Sequence, residues 1–172
     1  MQITGKELLE AFAWFIMATL NHREKQNTQR LMTHGGRVML TNLEPKHLWK
    51  HFDKIRTIPR CSGNEEKARE YVMSFAKAHN YEARHDEVGN VVVDIPATPG
   101  RENAPIVVLQ GHLDMVCEKN SDVKHDFSKD PIQIEIDGEW LKAKGTTLGA
   151  DNGVGLAAAL AVAEDEAVTH GP

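Results

Sequence analysis

Cysteine is scarce in this chain: there are two among 172 residues, Cys61 and Cys117. Two are too few for a disulfide framework, and a reducing cytosol is the simplest setting for them. Each reads as a small buried hydrophobe. A nucleophilic Cys117 beside His112 is the weaker alternative. Positive charge is not in excess either. A formal net charge of -5 and a pI near 6.0 give no basic surface for nucleic acid. Long hydrophobic runs are missing as well. Residues 8–20 are interrupted by Glu10, and residues 156–163 are fewer than the roughly 20 needed to cross a membrane. A secretory signal would want a basic start and a small-residue cleavage site, and Lys6 and Ala18-Thr19-Leu20 supply these poorly. No sequence repeats at a solenoid-like period. What remains is a chain 41% apolar, long enough for a core of its own.

Residues 1–38 differ from the rest. An apolar stretch is followed by the polar run Asn21-His-Arg-Glu-Lys-Gln-Asn-Thr-Gln-Arg30 and then by Gly35-Gly36. This reads as an amphipathic helix and a linker, an extension without a function of its own, or as sequence upstream of a true start at Met39. From residue 42 the local signals agree. Pro45 suits a first helical turn, and Leu48, Trp49, Phe52 and Ile55 recur at helical spacing. His47 and His51 share a face of that helix, read as solvated, because the zincin pattern would need Glu where Leu48 stands. Ser62-Gly-Asn-Glu65 has the form of a capping box opening a helix to about residue 79. Glu65-Glu66 then falls where the helix dipole favours acids. Strands are expected at 81–85 and 90–95. A hairpin is expected over 132–136 and 139–143, turning at Asp137-Gly138.

Two stretches carry chemistry. Residues 106–111 begin as the apolar run Ile-Val-Val-Leu, a strand expected to be buried on both faces. It ends in His112-Leu-Asp114. Residues i and i+2 of an extended chain point the same way, so Asp114 falls beside His112, where a carboxylate fixes an imidazole as a metal ligand requires. The second stretch is Gly145-Thr-Thr-Leu-Gly-Ala-Asp-Asn-Gly-Val-Gly155. Read as a phosphate cradle, it lacks the Gly-Lys-Ser/Thr of a Walker loop and has an acid in its place. Read otherwise, its glycines bend the backbone to aim Asp151 into a cleft, where a carboxylate bridges cations. Asn152 is the expected N-cap of the apolar helix that follows, and Glu164-Asp-Glu166 closes that helix.

The blocks Gly111-His-Leu-Asp-Met-Val116, His125-Asp-Phe-Ser-Lys-Asp-Pro131, Ile136-Asp-Gly-Glu-Trp140 and Gly145-Thr-Thr-Leu-Gly-Ala-Asp-Asn-Gly153 resemble the aminoacyl-histidine dipeptidases, cytosolic Xaa-His metallo-dipeptidases of the dizinc exopeptidase superfamily. Residues 42–49 and 58–63 also look like that family's opening. The resemblance covers residues 39–172. It implies the N-terminal part of an α/β catalytic domain, three-layer α/β/α with a mixed central sheet. It implies zinc as cofactor, dipeptides as substrate and a cytoplasmic location. By matching position, His112 is a terminal zinc ligand, Asp151 bridges two zincs, and Asp114 is the catalytic-site residue that orients His112. The Asp151–Asn152 peptide is expected to be cis. The family's general-base glutamate, its other metal ligands and its dimerisation domain come later than residue 172. Neither Glu65-Glu66 nor Glu164-Asp-Glu166 stands in for them. The expectation is therefore a truncated domain, inactive alone. The alternative is a non-catalytic remnant or interaction module, with the phosphate loop as a third reading.

Overall fold

The computed structural model describes residues 40 and 43–172. The extension at 1–38 and the alternative start at Met39 lie outside the described residues. Seven elements follow in order: α1 (Lys46–Ile55), α2 (Glu66–Ala78), β1 (Glu82–His85), β2 (Val91–Asp94), β3 (Ile134–Asp137), β4 (Trp140–Ala143) and α3 (Ala150–Glu164).

Helix α1 forms where apolar side chains recur every three to four residues, and Leu48, Phe52 and Ile55 are buried as that spacing requires. They meet Ala157, Ala158 and Ala161 of α3, with Leu40, Met115, Ile132 and Ile134 completing the cluster. Alanine keeps α3 thin on this side, so the larger α1 side chains fill the space. Each buried Leu, Ile or Phe contributes about 1.5–3 kcal/mol. A second cluster, Phe75 with Leu160 and Ala163, fastens α2 to the far end of α3.

The strands form two separate antiparallel pairs. Glu82 faces Asp94 in the first, and Ile134 faces Ala143 in the second. Asp86 closes the first turn by accepting the Asn90 N–H at 2.8 Å. Gly138 takes φ +60 in the second, beyond Asp137. Helices and small antiparallel sheets thus make up the α/β content of the described residues.

Five expectations are corrected. Residues 106–111 make no ladder, and Ile106 and Val108 are exposed rather than buried. A strand needs neighbours to take up its N–H and C=O groups. Neither two-stranded sheet extends to this segment, which has single links such as Val107 N–H to Pro172 O at 3.2 Å. Ser62 does not cap α2: the helix starts at Glu66, and the Ser62 hydroxyl donates to Asp114 instead. Asn152 makes no N-cap bond: it and Asp151 hold non-helical dihedrals where α3 kinks, but its Oδ1 accepts no hydrogen bond from the turn that follows. Cys61 and Cys117 are joined as a disulfide; a parallel bridge between Cys61 and Met115 brings their Cα atoms within 5.6 Å. That bond excludes a Cys117 thiolate nucleophile. Finally, His51 is not on a solvated face. It is 2% exposed, turned inward against Tyr71 and Glu164.

Candidate functional site

The chemistry-bearing residues come together at the N-terminal end of α3. Residues 112–115 run beside residues 60–62, with the Met115 N–H donating to Arg60 O at 2.9 Å. This places His112 and Asp114 against the kink at which α3 begins. His112 Nδ1 lies 2.9 Å from Asp114 Oδ1, and His112 Nε2 lies 3.1 Å from Asp151 Oδ1. Asp114 Oδ2 accepts the Ser62 hydroxyl. The peptide between Asp151 and Asn152 is cis. Asp151 is 92% exposed at its side chain, so the pair opens to solvent on that side.

The electrostatics follow from these contacts. The Ser62 hydroxyl, opposed by desolvation and aided by His112, holds the Asp114 carboxyl below the usual carboxylate range. Desolvation works against protonation of His112, yet the bonds to Asp151 and Asp114 raise it above the ordinary histidine value. With Nδ1–H given to Asp114, a neutral His112 points its Nε2 lone pair at a carboxylate oxygen. A proton or a metal cation between them relieves that repulsion.

Asn152 explains two of the loop's glycines. A Cβ at Gly111 or at Gly155 would collide with its carboxamide oxygen. That oxygen is buried and accepts no hydrogen bond. Sequence reasoning finds the glycine-rich loop but not this wedge, since the two glycines are 44 residues apart in the chain (155 − 111). It also misses Arg60, which no spacing rule marks, and takes Ser62 for a helix cap. Arg60 is 1% exposed, and burial lowers its pKa while the Asp114 charge opposes that shift. Glu65 and Glu66 take no part in this cluster: Glu65 accepts the Gly63 N–H at 2.5 Å, and Glu66 opens α2.

The donor set can be tested against zinc. Imidazole nitrogen and carboxylate oxygen are both zinc donors. Two donors on one tetrahedral zinc, each at about 2.0–2.2 Å, stand roughly 3.3–3.6 Å apart, and Nε2 and Oδ1, at 3.1 Å, lie a little inside that separation. The Asp114 contact on Nδ1 is the outer bond such a histidine makes. Two donors therefore fit. Among the described residues, no group of three or more His, Cys, Asp or Glu side chains is disposed to hold a metal.

Comparison with known proteins places the chain among relatives of the peptidase hydrolases. No protein-family model matches it. It is 56% identical over 133 residues to the cytosol non-specific dipeptidase of Escherichia coli (strain K12), covering 77% of this chain and 27% of the relative. Its fold matches the crystal structure of aminoacylhistidine dipeptidase from Vibrio alginolyticus with a TM-score of 0.75 and 52% identity, again over 77% of this chain and 27% of that one. The resemblance drawn from the motifs is upheld: over three-quarters of its length, the chain is related to the aminoacyl-histidine dipeptidases. It spans about a quarter of the length of the relatives it matches.

Proposed function

We propose that residues 39–172 form the N-terminal part of a zinc-dependent dipeptidase catalytic domain, of three-layer α/β/α form with a mixed sheet, and supply one wall of a dizinc site for Xaa-His dipeptides. The observation that carries this reading is His112 held through Nδ1 by Asp114 while its Nε2 faces Asp151. In this reading His112 would hold one zinc as a terminal ligand, Asp151 would share its carboxylate between two, and Asp114 would keep Nδ1 protonated so that Nε2 is free to bind. Zinc, when bound, polarises the peptide carbonyl and acidifies water. The protein's own share is to fix the imidazole tautomer, to hold a carboxylate with two usable oxygens, and to leave the Asp151 side open for substrate. A cytoplasmic site of action is taken from the name of the E. coli relative; the Cys61–Cys117 disulfide is at odds with a reducing compartment. In the whole enzyme, pairing with a second copy falls to a segment outside these residues.

The 172 residues alone do not hydrolyse dipeptides in this reading. A catalytic zinc takes three protein ligands and an open position, and His112 with Asp151 supplies two. A missing general base costs about 10²–10⁴-fold in rate by itself. The test is a chimera in which residues 39–172 replace the matching quarter of the E. coli dipeptidase. Zinc-dependent β-Ala-His or Gly-His cleavage, abolished by Asp151→Ala, is expected of the chimera, and none of the chain alone. A folded chimera without cleavage, or cleavage that survives Asp151→Ala, overturns the reading.

A second reading has its own observation. Ile106 and Val108 are 75% and 81% exposed in a segment without strand neighbours, and unpaired apolar backbone favours association. An interaction module or non-catalytic remnant would show as zinc-free oligomers in size-exclusion with light scattering.

A further inference from the structure

The two limbs of the site come from distant parts of the chain, and they meet on one buried cation. Arg60 donates through Nη1 to Leu113 O at 3.1 Å and to Asp114 O at 2.9 Å. Through Nη2 it donates to Gly149 O. The first two carbonyls belong to the limb that carries His112, and the third belongs to the loop that carries Asp151. The slot is shaped for a guanidinium. A Cβ at Gly149 would stand 2.5 Å from Nη2, and one at Gly153 would stand 2.7 Å from it. Three backbone carbonyl oxygens turned toward one point repel each other. A guanidinium holds all three by spreading two nitrogens of its planar fork across them.

We propose that Arg60 is a positioning residue that sets the separation of His112 and Asp151 by clamping the carbonyls of both limbs. It touches neither side chain directly and lies within the core. A buried cation whose direct partners are backbone carbonyls, with the Asp114 charge acting on it only through space, is not an economical source of stability. Fixing the spacing of two ligands is a function that an apolar side chain of equal size would not perform. The role assigned to Arg60 rests on the metal-ligand reading given above, and the experiment separates the two.

The 172-residue chain, with 15N-labelled histidine, is studied at one fixed pH in four forms: wild type, Asp151→Asn, Arg60→Met and the double variant. In wild type, Asp151→Asn moves the His112 ring nitrogen signals, because the two side chains touch. In the folded Arg60→Met background, the same change leaves those signals in place, because the limbs have parted. Cobalt(II) added as a probe broadens the His112 signals, with an affinity that falls tenfold or more on Arg60→Met, in the range seen when outer partners of a metal ligand are removed. Arg60→Lys keeps the charge but offers one nitrogen. It serves if the methionine variant fails to fold, and it is expected to lose a smaller part of the coupling. Wild-type coupling and wild-type cobalt affinity in a folded Arg60→Met or Arg60→Lys protein would sink the proposal. If instead Asp151→Asn leaves cobalt binding unchanged in the wild type, the metal-ligand reading fails, and the ring signals still decide whether Arg60 sets the spacing.

Discussion

Helix α3 carries a carboxylate facing histidine at each end, and the two ends behave in opposite ways. At the first turn Asp151 meets His112 in the open, and contacts with Asp151 and Asp114 raise the imidazole's pKa despite partial desolvation. At the last turn the Glu164 side chain is largely covered, 7% exposed. His47 Nδ1 approaches Glu164 Oε1 to 2.5 Å, Lys50 reaches both oxygens at 3.1 Å, and His79 Nε2 stands 3.7 Å away. His51 Nε2 is 3.1 Å from the same carboxylate without hydrogen-bond alignment, while its Nδ1 pairs with the Tyr71 hydroxyl at 2.6 Å. Desolvation there outweighs the attraction of Glu164 and pushes His51 down to about 4. A histidine beside an acid is therefore not a site in itself. Burial decides whether the pair is a latch between helices or a place where an ion is welcome.

The comparison is broken most forcefully at Glu164. Glu164→Leu leaves Lys50 and the ring of histidines without their shared anion; Lys50 and His47 stay solvated and His51 stays neutral, so a loss of about 1.5–3 kcal/mol is expected in urea unfolding. Asp151→Ala, at the other end of the same helix, should change stability by less than about 0.5 kcal/mol. Equal losses would mean that both ends are structural.

Acid sharpens it next. The folded pKa of His51 lies below the unfolded value of 6.5, so the folded state resists a proton that the unfolded chain accepts. Stability is complete above about pH 6.5 and falls as pH drops toward 4, by about 2–3 kcal/mol. Glu164 acts in the same direction at lower pH. Burial raises its pKa, but His47 and Lys50 bring it below the ordinary value, so its contribution also fades as pH falls. Urea midpoints measured from pH 8 to 4 should show this slope, and His51→Leu should flatten its upper part. A slope unchanged by His51→Leu would remove that residue from the account.

At the exposed end, effects move from stability to binding. Asp114→Ala should weaken cobalt or zinc binding by the dipeptidase chimera about 10–100-fold with little change in unfolding, as read by chelator competition. Ser62→Ala, one bond further out, should cost about 0.5–1.5 kcal/mol of the same affinity. A larger loss from Ser62 than from Asp114 would reverse their order in the chain of contacts.

The helices and both hairpins were legible because periodicity and turn chemistry are local. Leu48, Phe52 and Ile55 announce α1, and Asp137-Gly138 announces β3–β4. The His112, Asp114 and Asp151 grouping was legible from motifs. Three other features were not, because they depend on which residues meet in space. Residues 106–111 have the composition of a strand, but pairing is decided by neighbours. His51 has the spacing of a surface residue, but α2 and α3 cover it with Tyr71 and Glu164. Ser62 fits a capping box, yet Asp114 offers it a charged acceptor instead.

The Asn152 wedge bears on how such a loop can change over generations. Because its carboxamide fills the space where side chains at positions 111 and 155 would sit, those three positions form one steric lock. Gly111→Ala alone meets Asn152, and so does Gly155→Ala. Trimming the wedge, as in Asn152→Gly, removes the obstruction to both. Tolerated substitutions at 111 or 155 should then arise as compensating pairs with 152, and a library randomised at all three sites should recover far more folded variants than single-site libraries allow.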